Sequence, residues 1–528
     1  MTMLSALYRQ AKTRPDGVAF IFGKERYSYQ WLVGEVERYA RALDARGIKK
    51  GDRVMLHMTK LPEMAILFYA CFRIGAIAAP VSVRLKTAEL QPSLERLRPS
   101  LYLGDAQYYP AVAPIDSEIL PADARFVIGA VDDPYAQCPY AQSPHAKSWS
   151  ALLEGEKANM TFPDLDPDCP AVLQATSGTT GQPKFVMHSQ ATLLEAARSF
   201  GQMHVSDKDI IFNPFPMIQP PGLCVVDIGI EHGAPVVLFE LFDPGVMLDA
   251  IAAHGVTWFG AMPAHYGLLL EAQQARPRDV SSIEFCCCAG DVLSPEIEKQ
   301  FEAHFGLPVR PFWAATEAMG ACIHGLRSRA FRPAAGTEIR LVDDHDRPVP
   351  RGEPGEMLIN SPALALGYWM EAGRINPTGI DGWYRTGDIV RQGDAGKQGE
   401  ADKQGDADDE YLFVSRKKHL IIRGGTNIAP VEVEQVLAAH PMVRDAAVIG
   451  VPDPILGQRL AGFVTLKDGV PSTVLRDILA VAAGQLADYK LPERLTIVPQ
   501  IPRNGSGKID RNALELIARE REPDLAVA

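Results

Sequence analysis

The 528-residue sequence has no apolar run approaching the roughly 20 residues that a membrane-spanning helix needs. Its opening stretch, MTMLSALYRQAKTRPDG, has neither the apolar core nor the small-residue cleavage site of a secretory leader. The expectation is a cytoplasmic protein that at most visits a membrane surface. Excess positive charge is missing as well: 53 Lys and Arg against 65 Asp and Glu leave a net charge of −12. Phosphate backbones attract basic surfaces, so no nucleic-acid partner is expected. The eight cysteines include no metal-ligand spacing such as C-x-x-C. Three are adjacent, Cys286, Cys287 and Cys288 in IEFCCCAG, which reads as a buried strand where thiols act as small apolar groups. There is no G-x-S-x-G elbow, which excludes one common serine-hydrolase design. His188 and His265 therefore read as structural or pocket-lining groups rather than general bases.

A chain this long exceeds one ordinary core, and at least two domains are expected. RVMLH (53–57) reads as a strand, LPEMAILFYACFRIGA (61–76) as a helix and IAAPVS (77–82) as a strand, an order that predicts sheets covered by helices. Residues 105–170 look loop-heavy. VVLFE (236–240) and VTWFGAMP (256–263) are further strand candidates, and TEIRLVDD with GEPGEMLINSP predicts a smaller β-rich part. RQGDAG, KQGEAD and KQGDAD (391–408) are near-copies of one hexapeptide without an apolar side chain larger than alanine. Such a segment buries too little to offset its ordering entropy, and it reads as an expanded mobile hairpin loop spanning 391–410. After residue 418, VEVEQVLAAHP and STVLRDILAVAAGQLA alternate with AAVIGVPD and LAGFVTL, as in a small α+β domain. The expected division is 1–417 and 418–528, α/β sheets layered with helices followed by a compact α+β unit.

The most informative stretch is Thr176-Ser177-Gly178-Thr179-Thr180-Gly181-Gln-Pro-Lys184. Small residues let backbone N–H groups and hydroxyls surround an anion, and Lys184 adds positive charge beside them. The spacing is not that of the P-loop G-x-x-x-x-G-K-[ST].

This stretch resembles the signature T-S-G-T-T-G-x-P-K of the adenylate-forming enzymes, most closely the AMP-forming acyl-CoA synthetases. Further motifs follow in the order of that family over nearly the whole chain. The resemblance implies a large N-terminal adenylating domain, a small mobile C-terminal domain, and ATP, Mg²⁺ and CoA as cofactors and substrates. Trp313-Ala-Ala-Thr316-Glu317 is similar to Y-G-x-T-E, which implies adenine stacking on Trp313, α-phosphate contact by Thr316 and Mg²⁺ binding by Glu317. Trp replaces Tyr, and Ala314 replaces Gly. Trp383-Tyr-Arg-Thr-Gly-Asp388 is similar to Y-x-T-G-D, with Asp388 implied on the ribose hydroxyls. Ser415-Arg416-Lys417-Lys418-His419 matches G-R-x-K/D-D with Ser for Gly and His for Asp. It implies ribose or phosphate contact by Arg416 and a hinge at Lys418. Gly424 and Gly425 are implied on the pantetheine path, and Lys508, in P-R-N-G-S-G-K, is implied as the catalytic lysine of adenylation.

Pro216-Met-Ile-Gln219-Pro-Pro-Gly-Leu223 is similar to P-L-F-H-x-x-G-L, and the resemblance places Gln219 and Gly290 at the acyl pocket. No acid stands in this segment to meet a substrate ammonium, so a neutral apolar carboxylic acid is expected rather than an amino acid. Fatty, aryl and branched acids stay open. So do three functions: an acid:CoA ligase, a stand-alone ligase that loads a carrier protein's phosphopantetheine, and an inactive nucleotide-binding scaffold. A monomer or homodimer is expected.

Overall fold

The computed structural model describes residues 1–59, 61–129, 146–154, 161–176, 184–240, 242–290, 293, 295–325, 330–370, 375–379, 381–393, 410–423, 426–453, 456–486, 488–504 and 507–520. Two sheets dominate the first part. One has nine strands in the spatial order Ile375–Asn376, Gly367–Trp369, Lys184–Ser189, Pro170–Thr176, Ile77–Pro80, Arg53–His57, Leu101–Asp105, Arg125–Ile128 and Lys147–Ser148. The other has seven: Val309–Pro311, Phe285–Cys288, Trp258–Ala261, Ile211–Phe212, Val236–Val237, Val18–Phe22 and Glu25–Ser28.

Alternation along the strands explains the layering. Val54 and Leu56 face one buried cluster, while Met55 between them faces another. Cys287 joins that first cluster, and Cys286 and Cys288 join a third on the far side of the second sheet. Side chains at successive strand positions point to opposite faces, so both sheets are buried on both sides and need helices outside and between them. Helix Glu63–Ile74 lies in the shared middle layer and is buried almost all round, from Met64 to Phe72. Each such large apolar side chain contributes about 1.5–3 kcal/mol. The helix is shorter than its apolar run: Pro62 sits at its start, and Gly75 ends it in the left-handed conformation at φ 74°.

The cysteine run forms the expected buried strand. One expectation needs correction. VVLFE pairs only at Val236–Val237, with one further backbone bond from Leu238 to Ile21. The chain then leaves the sheet so that helix Pro244–His254 can begin. The region from 105 is loop-heavy as expected where it is described, with two short strands and short helical turns, and residues 130–145 and 155–160 lie outside the described residues. Strand Arg125–Ile128 is held there by buried Arg125, whose Nη2 donates to the carbonyls of Ile115 and Leu120 at 2.7 Å.

A third sheet of six antiparallel-paired strands follows, ordered Cys322–His324, Ala330–Pro333, Tyr411–Arg416, Tyr384–Gln392, Pro354–Asn360 and Glu338–Val342. The hexapeptides leave the strand Tyr384–Gln392 and the chain returns in Tyr411–Arg416, which pairs with it; residues 394–409 lie outside the described residues. The last sheet joins Ile421–Arg423, Thr426–Ile428, Val443–Asp453, Gly457–Leu466 and Arg494–Ile497. Its two apolar clusters draw only on residues from Ile421 onward. Among the described residues, no helix is long and apolar enough to cross a membrane.

Candidate active site

Strands Pro170–Thr176 and Lys184–Ser189 form an antiparallel hairpin in which Thr176 is directly opposite Lys184. The glycine-rich stretch therefore connects two paired strands. Ser177, Gly178, Thr179, Thr180 and Gly181 lie outside the described residues. Phe185, which follows the loop lysine, is buried among Leu90, Leu94, Tyr102 and Leu173, with the Arg96 guanidinium 5.4 Å from its ring centroid. It anchors the base of the hairpin in the outer core.

The same strand carries His188. Its Nε2 lies 2.8 Å from the Thr316 carbonyl oxygen, and Nδ1 lies 3.1 Å from Thr192 Oγ1. A carbonyl only accepts, so the proton is on Nε2. Burial lowers the pKa of His188, opposed by the Thr316 carbonyl and the Glu317 charge. His188 is a strut between hairpin and turn, in line with the structural role expected of it. Ser189 caps the helix Gln190–Ser199 through a reciprocal bond with Thr192, which fixes the strand's exit.

The strut holds the turn Thr316–Ala318. Glu317 accepts a hydrogen bond at Oε1 from the Tyr368 hydroxyl, 2.9 Å away. Tyr368 comes from the strand paired with the hairpin, and Lys184 Nζ lies 5.1 Å from its ring centroid. Glu317 raises the pKa of Tyr384 by its charge, after burial, and Tyr384 also feels Arg416. Tyr384 thus connects this cluster to the next.

Strand Tyr384–Gln392 places Asp388 directly opposite Arg416, and Asp388 is fully buried. Its Oδ2 accepts from Trp313 Nε1 at 2.7 Å. Arg416 Nε lies 2.9 Å from Oδ1, but off line, so this buried oxygen has no aligned donor. Burial raises the Asp388 pKa, opposed by Arg416, by the Trp313 hydrogen bond and by the positive charge of Lys508. Lys508 sits on a turn closed by Asn504, which accepts from Gly507 N at 2.9 Å and Lys508 N at 3.1 Å. His419 is pushed down to about 3 by burial and then by Arg511, Lys418, Arg416 and Lys508. Lys418 is exposed on the short turn that opens the last part of the chain. Trp313, 75 positions away in the chain, and Arg416 on the neighbouring strand thus meet at one carboxylate.

Gln219 precedes the helix Pro220–His232. Buried Asn213 shapes this entry: its Nδ2 donates to the Gly222 carbonyl at 2.9 Å, and its Oδ1 accepts from Phe215 N. A side chain at Gly222 would meet the Pro216 carbonyl oxygen at 2.4 Å, so only glycine fits. Pro220 lines a small cavity together with His188, Cys224, Asp227 and Met319, which puts this helix beside the Thr316–Glu317 turn. Gly290 ends near Met262, whose Cε would be 3.4 Å from an added Cβ. No contact joins Gly290 directly to Gln219 among those described. Gly424 and Gly425 lie outside the described residues. Sequence reading missed Tyr368 and the Trp313–Asp388 bond; the only local signal was the Trp itself, in a place where the resembled family has Tyr.

The family model for AMP-binding enzymes matches residues 7–369, and that for the AMP-binding enzyme C-terminal domain matches 432–508. The chain belongs to the AMP-binding enzyme family. It is 29% identical to an indoleacetate–CoA ligase of Aromatoleum aromaticum, over 97% of each chain. It is 28% identical to a medium-chain fatty-acid–CoA ligase of Escherichia coli, over 95% of this chain and 88% of that one. Its fold matches the anthranilate CoA ligase AuaEII in complex with anthranoyl-AMP, with a TM-score of 0.86, 24% identity and coverage of 99% and 98% of the two chains.

Proposed function

We infer that this chain is an ATP-dependent, AMP-forming carboxylic acid:CoA ligase. It converts an acid and ATP to acyl-AMP and pyrophosphate, and then passes the acyl group to the thiol of CoA. The observation that carries the reading is the convergence of Trp313 and Arg416 on buried Asp388, with the Thr316–Glu317 turn tied to the Thr176–Lys184 hairpin through His188. Buried Asp388 keeps an oxygen without an aligned donor, which suits a ribose hydroxyl.

The residues present fit a magnesium ion carried by ATP. Among the described residues, no group of three acidic, His or Cys side chains forms a metal cage. Magnesium uses few carboxylates and takes its remaining ligands from phosphates and water. Glu317 would hold it, with Tyr368 orienting the carboxylate. When bound, the ion neutralises phosphate charge.

Carboxylate and triphosphate repel each other, so the protein must supply positive charge where they meet. Lys508 is placed to offset the charge that builds on the α-phosphoryl oxygens during in-line attack. Thr316 contacts the α-phosphate, and Thr176, Ser177, Gly178, Thr179, Thr180, Gly181 and Lys184 enclose the outer phosphates. Trp313 and Arg416 complete the nucleoside site. Gln219 and Gly290 border the acyl pocket, and Gly424 and Gly425 border the thiol path. The boundary between the two domains falls at 417/418, with Lys418 as the hinge for a swing of the smaller one between half-reactions.

A neutral acid is the favoured substrate. The nearest acid beyond Gln219, Asp227, is buried and bonded to Tyr69 at 2.6 Å, so no carboxylate waits at the helix start for an ammonium. A panel of fatty, aryl and branched acids, scored for pyrophosphate release with and without CoA, tests the reading. Acid-dependent pyrophosphate release with CoA-dependent AMP release is expected. Turnover only with a holo-carrier protein would reassign the acceptor, and no release with any acid would revive the inactive scaffold.

A further inference from the structure

The hydrogen bond between Trp313 and Asp388 has no counterpart in an adenine-stacking role. Stacking uses the face of a ring and asks nothing of its edge. Here the indole edge points its N–H at a carboxylate 75 positions away, at 2.7 Å. The ring is held rigidly: Trp313 is buried in one apolar cluster with Ala318, Cys322, Phe331, Tyr384 and Val390. The carboxylate is equally confined. The Asp388 backbone N–H donates to Thr386 Oγ1, and that hydroxyl donates to the Met357 carbonyl at 2.8 Å.

A buried carboxylate needs donors on both oxygens, or the bare one is costly to keep. Asp388 has one aligned donor on Oδ2, while Oδ1 is ion-paired with Arg416 Nε at 2.9 Å, off line, and has no aligned donor. Fixing Oδ2 fixes the rotation of the whole carboxylate, and so decides where Oδ1 points.

We propose that Trp313 is a positioning residue for nucleotide recognition: its indole N–H pins Asp388 Oδ2 so that Oδ1 is presented to a ribose hydroxyl. This rests on the reading of Asp388 as the ribose acceptor. A phenylalanine at 313 keeps an aromatic face but has no donor, so the two roles of the ring separate.

The test compares the full-length enzyme with Trp313→Phe in acid-dependent ATP–pyrophosphate exchange, using ATP, 2′-deoxy-ATP and 3′-deoxy-ATP. A charge-assisted hydrogen bond held in a buried site predicts a rise of about tenfold in KM for ATP, with kcat changed by less than about threefold. With the deoxynucleotide that lacks the hydroxyl bound by Asp388, the penalty shrinks to less than about threefold. Equal penalties with all three nucleotides would show that only the ring face matters and would overturn the proposal.

A second measurement does not depend on the variant's activity. Selective ¹⁵N labelling of the six tryptophan indoles gives one N–H signal each. The Trp313 signal is expected downfield in the wild type and displaced in Asp388→Asn. A Trp313 signal unmoved by Asp388→Asn also overturns the proposal. Absence of exchange in the wild type would instead sink the functional reading itself, which keeps the two failures apart.

Discussion

Asp227 offers a sharp test of the packing. It sits on the helix Pro220–His232, fully buried, with Tyr69 donating to its Oδ1 at 2.6 Å and no partner on Oδ2. Burial raises its carboxyl from 3.8 to about 8, opposed by the Tyr69 bond. Between those values the folded chain keeps a proton that the unfolded chain has released. The folded state therefore binds more protons, and stability falls as pH rises through this window. At about 1.4 kcal/mol per pH unit, the loss from pH 4 to pH 7 has a ceiling of roughly 4 kcal/mol. Asp227→Asn keeps the shape and the Tyr69 bond but cannot ionise. His57 and His265, both pushed down to about 4 by burial, act with the opposite sign, gaining stability as pH rises. They are common to both proteins and cancel in the comparison. Thermal unfolding midpoints at pH 5, 6, 7 and 8 are expected to diverge steadily, with the asparagine variant gaining on the wild type by several degrees at pH 8. Parallel midpoints, or a wild type that gains on the variant, would show that Asp227 is ionised in the fold and that its burial has been misread.

Lys508→Ala is expected to slow adenylate formation by at least about 100-fold while leaving thioester formation from supplied acyl-AMP within about tenfold, as separate assays of the two half-reactions will show. Equal loss in both would move Lys508 out of the first step. Removing one or two hexapeptides from 391–408 is expected to leave kcat and KM within about twofold, since halving a loop changes its closure cost by only about 0.6 kcal/mol. A large loss of activity would give the repeats a role in catalysis or partner binding.

Much of the fold was legible because its signals are local. Helix Glu63–Ile74 shows itself by an unbroken apolar run between Pro62 and Gly75, and strand Phe285–Cys288 by small apolar residues before a glycine. The motif stretch from Thr176 stands out for the same reason: it is nine consecutive residues, and the strands on either side of it pair as a hairpin. What stayed hidden depends on partners far away in sequence. Phe185, just after the loop lysine, has its place only in the outer core around Leu90, Tyr102 and Leu173. Asp227, on a largely apolar helix, takes its hydrogen bond from Tyr69, 158 residues earlier. The Trp at 313 shows most clearly where sequence reading stops. As a residue type it predicts a ring face, because every aromatic has one and nothing nearby calls for more. The nitrogen on its edge becomes meaningful only when a strand 75 residues on delivers a buried carboxylate to within 2.7 Å. The indole N–H thus supplies a donor where a buried acid needs one, and that donor, more than the ring face, distinguishes Trp from phenylalanine at this position.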